Sequence, residues 1–225
     1  MTLVLLHGLG ANREVWRGVL DLAPTAVALD LPGHGSAARL SSYTFEAYAE
    51  ALLPQLPDGP LDLLGHSMGG MIALAIATRR PAVGRVAAFG VKVAWSEDDV
   101  AGAARQATRP VTTFATRDEA TERYLRMSGL VGLVAADHPT VAAGIVEAVG
   151  GWQLAQDPAT FGFGRPDIAP LLAGADCPVT LARGEHDRMV SDDDLRAVVP
   201  RHVTLPGLGH NTQVEDPAAV LALLD

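Results

Sequence analysis

Apolar residues fall along this chain in two alternating patterns. One is the short uninterrupted run: residues 2–6, 25–29, 61–64, 85–90, 178–182 and 202–205 are mostly apolar and too short for a helix. Runs of that kind read as strands buried on both faces. The other pattern returns at helical spacing. Val15, Trp16, Val19 and Leu20 share one face behind Asn12, and Phe45, Tyr48, Ala49, Leu52 and Leu53 fall at i, i+3, i+4, i+7 and i+8 behind Thr44. Asn and Thr at those positions are N-caps, whose side-chain oxygens accept from otherwise unpaired first-turn N–H groups. Pro54 and the Pro57-Asp58-Gly59-Pro60 turn stop the second helix, and Met71 to Ala77 is an apolar, Ala-rich run that suits a buried one. Strands alternating with helices predict an α/β architecture: a mostly parallel sheet of about six strands with helices on both faces. Ligands of such sheets bind at the carboxyl ends of the strands, where His7, Ser67 and Val91 all fall.

The alternation breaks between residues 91 and 165. Ser96 with Asp99, and Thr116 with Glu119, have the spacing of N-caps with an acid three residues on, and they open helices over 97–107 and 117–127. A third helix is expected over about 139–149. More than half of the chain's aromatic residues lie in this stretch, among them Trp95, Phe114, Tyr124, Trp152, Phe161 and Phe163. It is therefore expected to be an inserted helical lid over a core made of 1–90 and 166–225. Trp95 and Trp152 are the expected walls of a substrate pocket, and Lys92 stands either at the surface or where a substrate carboxylate would reach it. Alternation resumes after the insertion, with a helix near 192–198 and a last helix opened by Asp216-Pro217, an N-cap followed by proline at its first position.

Composition narrows the function classes. Acidic residues outnumber basic ones 26 to 17, a net charge of −9, which argues against a nucleic-acid surface. Cys177 is the single cysteine, so no intrachain disulfide forms and a reducing compartment is permitted. No signal-peptide pattern and no apolar run of membrane-spanning length occur. A cytoplasmic protein, monomer or homodimer, acting on a small molecule without a metal or cofactor is expected.

The chemistry concentrates in Gly65-His66-Ser67-Met68-Gly69, set between an apolar strand and an apolar helix. That context defines a nucleophile elbow, a strained turn that lifts a serine Oγ above the strand's end. Random placement of the chain's 23 glycines and 7 serines would produce about 0.07 such pentapeptides. The Met68 N–H opens the following helix, where an oxyanion is stabilised by donor and dipole together. His7-Gly8-Leu9-Gly10 after the first strand reads either as a plain glycine-rich βα loop or as the source of a second donor, the Leu9 N–H. His34, in Asp30-Leu31-Pro32-Gly33-His34-Gly35, reads as structural. Serine requires a base and the base an orienting group. Asp187 and His210 each sit just past a late strand and give the chain order Ser67, Asp187, His210, with Glu185 and Asp192 as nearby alternatives to the acid.

The motifs HGLG, DLPGHG, GHSMGG, RGEHDRMV and PGLGHNTQVEDP together resemble the α/β-hydrolase superfamily, in its esterase, lactonase and C–C hydrolase branch. The resemblance implies a minimal form of that fold, beginning at what the family counts as its third strand. It implies Ser67 as nucleophile, His210 as base, Asp187 as orienting acid, and Leu9 and Met68 as oxyanion donors. It leaves three activities: hydrolysis of a carboxylic ester or lactone of a small apolar or aromatic substrate, C–C cleavage or a cofactor-free lyase reaction, and ligand reception without turnover. Asn211 follows His210 where many C–C hydrolases of the family carry an aromatic residue.

Overall fold

The computed structural model describes all 225 residues. Its strands are β1 (Thr2–Leu6), β2 (Val27–Leu29), β3 (Leu61–His66), β4 (Val83–Phe89), β5 (Ile145–Ala148), β6 (Gly151–Leu154), β7 (Val179–Gly184) and β8 (Val203–Leu205). Six of them form one sheet in the order β2-β1-β3-β4-β7-β8, every neighbouring pair parallel. Alternate residues feed two cores. Val4 and Leu6 join one face with Leu61, Leu63, Val86 and Ala88, while Leu5 joins the other with Leu64, Ala87 and Phe89. Both faces of the central strands are covered, which is why they read as mostly apolar runs.

The chain moves from β1 to β2 on one side, then returns to place β3 on the other side of β1. Strand order reverses there, and the loops leaving the carboxyl ends of β1 and β3 part to form a crevice. His7 leaves the first of these ends and Ser67 the second.

The helices follow the predicted caps. Asn12 accepts from the Glu14 N–H and opens a 3₁₀ turn that continues as α1 (Arg17–Leu22), and Thr44 accepts from Ala47 at the head of α2 (Phe45–Leu52). In α3 (Met68–Ala77) every residue is buried. Both expected capping boxes form, at α4 (Glu97–Ala107) and α5 (Arg117–Met127). The expected helix over 139–149 is shorter. α6 (Pro139–Gly144) ends where Gly144 lies against the Tyr124 ring, and the chain then turns through a β5–β6 hairpin. Ala148 pairs with Gly151 across Val149-Gly150, and Gly150 takes φ +86°. The β-branched Ile145-Val146 pair and the two-residue loop ending in glycine outweigh the helical spacing, and they are a recognisable hairpin signal. The chain closes with α7 (Ala169–Gly174), α8 (Asp192–Val198), α9 (Thr212–Glu215) and α10 (Pro217–Leu221), the last capped by Asp216. No helix is long and apolar enough to cross a membrane.

Candidate active site

Between β3 and α3 the backbone turns within one residue. Ser67 has φ +51° and ψ −118°, and no other non-glycine residue in the protein has positive φ. The strain is held from both sides: the Ser67 N–H donates to the Phe89 carbonyl at 2.8 Å, and two glycines let the neighbours close in. A Cβ on Gly65 would lie 2.5 Å from the Gly69 oxygen, and one on Gly69 would meet the carbonyl oxygens of Leu6 and His7. Gly8 brings the β1 loop against this turn, since a Cβ there would stand 2.8 Å from His66 Nδ1 and 3.3 Å from Ser67 Cβ. Leu9 and Met68 thus border the same space as Ser67. The Leu9 N–H has no backbone partner, and the Met68 N–H is the first of α3, which a helix leaves unpaired.

His210 and Asp187 meet at this crevice. His210 Nδ1 lies 2.9 Å from Asp187 Oδ2, and the Asp187 side chain is wholly buried, its other oxygen accepting from the Met189 N–H at 2.8 Å. The loop that carries Asp187 is gripped by Arg183, a buried cation on β7. Its Nε donates to the Val190 carbonyl at 2.6 Å and its Nη2 to the Glu185 and Asp187 carbonyls at 2.9 and 3.3 Å. The alternative acids are engaged elsewhere. Asp192 accepts from His202, which with Thr204 and Arg183 holds its carboxyl down to about 2, while Glu185 accepts from the Gly207 N–H.

Two residues around His210 carried no signal of their role in the sequence, because their partners are remote along the chain. His66 Nε2 is 2.9 Å from the His210 carbonyl, and its ring lies 4.7 Å from the His210 ring. Asn211 donates from Nδ2 to the Ser128 and Gly129 carbonyls at 3.3 and 3.0 Å, tying the His210 loop to the end of α5.

A cavity of about 320 Å³ opens over Ser67 and His210, with residues from the 91–165 segment forming much of its wall. Phe45, Met71, Val91, Trp95, Phe161 and Phe163 make the lining largely apolar, and Lys92 and Arg126 are its charged side chains. Trp95 stands edge-on to Phe163 at 5.5 Å, and Lys92 Nζ sits 4.9 Å from the Trp95 ring centroid while pairing with Asp99 at 2.8 Å. The structure does not bring Trp152 to this cavity, contrary to expectation. On β6 it pairs with Phe114, and the Arg117 guanidinium lies 6.0 Å from its ring. Its place in the hairpin, where it packs against the core on the other face of the sheet, accounts for that. No cluster of three or more His, Cys, Asp or Glu side chains is arranged to hold a metal.

Three further histidines are buried here without a carboxylate partner. Burial pushes His7 down to about 4, His34 down to about 3, and His66 well below the ordinary histidine range. These folded-state values lie below the unfolded value near 6.5, so nothing is lost above that pH. Below it the unfolded chain takes up protons that the folded chain refuses, and each histidine removes up to about 1.4 kcal/mol of stability per pH unit until its folded value is reached. The urea midpoint should therefore fall steeply between pH 6.5 and 4.5. A midpoint that stays constant across that window would show that the three rings are not held neutral.

Residues 3–223 match the model of the alpha/beta hydrolase family. The chain belongs to that family. Its relatives include hydrolases and esterases, and it is an α/β-hydrolase enzyme. It is 30% identical over 247 residues to the 2-succinyl-6-hydroxy-2,4-cyclohexadiene-1-carboxylate synthase of Enterobacter sp. (strain 638), covering 99% of this chain and 89% of that one. It is 44% identical over 80 residues, 34% of this chain and 25% of the other, to the pimeloyl-[acyl-carrier protein] methyl ester esterase of a serogroup A Neisseria meningitidis. Among solved structures, the thioesterase domain from the curacin biosynthetic pathway superposes with a TM-score of 0.80 at 24% identity, covering all of this hydrolase and 90% of that chain.

Proposed function

We propose that this hydrolase cleaves a carboxylic ester or lactone of a small apolar or aromatic acyl group through an acyl-enzyme on Ser67. The observation that carries the reading is that a strained serine and an imidazole bonded to a buried carboxylate line the same apolar cavity. Asp187 accepts from Nδ1–H of His210 and so leaves Nε2 as the basic nitrogen. Nε2 takes the Ser67 proton as Oγ bonds to the substrate carbonyl carbon, and the oxygen, now negative, is met by the Leu9 and Met68 N–H groups. The proton passes to the leaving alkoxide and the C–O bond breaks. Water then loses a proton to Nε2, attacks the acyl-enzyme, and releases the acid and free Ser67. Segment 91–165 acts as a lid that excludes water, which strengthens both oxyanion hydrogen bonds.

Rapid mixing with p-nitrophenyl acetate tests this. The expected result is a burst of nitrophenol followed by turnover, with an acetyl mass on the Ser67 peptide after acid quench. Absence of both turnover and label would overturn the ester reading and leave a ligand receptor. The full-length similarity to a synthase supports a second reading, in which the same base acts on a carbon acid and no acyl-enzyme forms. Turnover of such a substrate without any label on Ser67 would favour it.

The wall of the cavity sets substrate preference in either reading. Trp95→Ala should shift the dependence of kcat/KM on acyl chain length, by about 1–3 kcal/mol per methylene accommodated. Trp152→Ala should leave that profile unchanged and lower stability instead. The same profile for Trp95→Ala as for the parent would place the acyl site elsewhere.

A further inference from the structure

The proposed oxyanion donor at Leu9 sits in a loop that carries no secondary structure, yet an oxyanion hole works only if its N–H is aimed before the charge develops. Two buried histidines hold the peptide groups on either side of Leu9. His7 Nδ1 lies 2.8 Å from the Gly8 carbonyl oxygen, and the Gly10 N–H donates to His34 Nε2 at 3.2 Å. The far side of each ring is also engaged: the Leu31 N–H donates to His7 Nε2 at 3.0 Å, and His34 Nδ1 lies 3.2 Å from the Pro32 carbonyl.

Backbone N–H groups can only donate, so Nε2 of both rings must be an acceptor. A ring accepting at Nε2 is neutral and carries its proton on Nδ1. In His7 that proton goes to the Gly8 oxygen. The Gly8 carbonyl and the Leu9 N–H belong to one planar peptide unit, so fixing the oxygen fixes the direction of the N–H. A hydrogen bond to the oxygen also polarises the amide and strengthens its N–H as a donor. His34 holds the next peptide by its N–H. Leu9 is clamped at both ends by rings that meet edge to face, 5.2 Å apart.

The rest of the loop after β2 braces the clamp. Asp30 accepts from the Arg13 and Ser36 N–H groups at 2.8 and 3.0 Å and from Ser36 Oγ at 2.9 Å. Gly35, at φ +54°, lies so close that a Cβ would be 2.6 Å from that carboxylate. Burial of both histidines, essentially complete, favours the uncharged rings over the pull of the nearby Asp30.

We propose that His7 and His34 are positioning residues of the oxyanion hole, acting as a pair of neutral Nδ1–H tautomers that aim the Leu9 N–H at the developing negative oxygen. This rests on the ester-hydrolase reading, in which Leu9 is a donor. It gives the DLPGHG segment a role in the chemistry through the backbone of another loop, without any contact with substrate.

The first test is nitrogen NMR of the intact protein at pH 7, where both rings should show the Nδ1–H pattern. An Nε2–H pattern or a protonated ring at either position overturns the proposal. The second test is kinetic. His34→Ala should lower kcat for a p-nitrophenyl ester by roughly 10- to 100-fold, less than the roughly 10²- to 10³-fold cost of removing an oxyanion donor outright. KM should stay within twofold, and affinity for a trifluoromethyl ketone analogue should fall by the same factor as kcat. His34→Gln, which returns an acceptor, should recover most of both losses. A folded His34→Ala with kcat and analogue affinity within twofold of the parent overturns the proposal. Should His34→Ala fail to fold, His34→Gln and the tautomers decide: near-parent kcat with Nδ1–H rings supports the clamp, and a Gln variant as slow as Ser67→Ala overturns it. Acetyl labelling of Ser67 in the parent separates the two levels. Labelled parent with unaffected variants sinks the clamp alone, whereas an unlabelled parent takes the ester reading and the clamp down together.

Discussion

Ser67→Ala is expected to fold as the parent does and to lose about six orders of magnitude in kcat, the scale seen when a triad serine is removed. The fold survives because the bond from the residue 67 N–H to Phe89 depends only on the backbone. Alanine keeps the Cβ, so the positive-φ strain is unchanged. What remains is catalysis by the proposed Leu9 and Met68 donors and by binding, about 10³- to 10⁴-fold over water. Ser67→Gly should be equally inactive but more stable, because strain of roughly 1–3 kcal/mol at a non-glycine residue is relieved against a smaller entropic loss. Thermal melts and ester turnover on both variants give the answer. A folded alanine variant with more than a tenth of parental turnover would remove Ser67 from the chemistry.

The strain at Ser67 also explains why the elbow could be read from sequence. A turn this tight tolerates only glycine at positions 65 and 69, so the geometry writes itself into residue identity. The central strands were legible for a related reason: burial on both faces makes β1, β3 and β4 mostly apolar, and the capping boxes at Ser96 and Thr116 mark helix starts through local hydrogen bonds alone. Local signals fail where a partner far along the chain decides. The helix expected over 139–149 is a different case, since the hairpin that replaces it after Gly144 carries a local signal of its own in Ile145-Val146 and Val149-Gly150. Trp152 followed its hairpin to the face of the sheet opposite the one that Trp95 packs near, through Phe163. His7 with Leu31, His34 with Gly10, Asn211 with Ser128 and Arg183 with the Asp187 loop are all contacts that single-residue patterns do not announce. The candidate triad and oxyanion donors were visible as motifs, whereas the contacts that hold them in place became visible only once the chain was folded.

Asp187→Asn should lower kcat by about 10⁴ while leaving the protein folded, the magnitude found when a triad carboxylate is replaced by its amide. Hydrogen-bond accounting at this site dictates the direction. One oxygen of Asp187 accepts from the Met189 N–H and the other faces His210 Nδ1. An asparagine has one acceptor and one donor end, and the Met189 N–H claims the acceptor. The amide nitrogen then faces His210, where it can only donate, so Nδ1 must give up its proton and the imidazole shifts to the Nε2–H tautomer. That tautomer cannot take the Ser67 proton. The side chain is wholly buried, so no water relieves the mismatch. Asp192→Asn is the control, since its carboxylate serves His202, Thr204 and Arg183 and does not reach His210. It should change kcat by less than about twofold, well short of the effect of losing a charged partner in the triad. Ester turnover with nitrogen NMR of His210 in both variants decides the matter. If Asp192→Asn were the inactive one and Asp187→Asn kept its Nδ1–H proton and its rate, the orienting acid would have been assigned to the wrong loop residue.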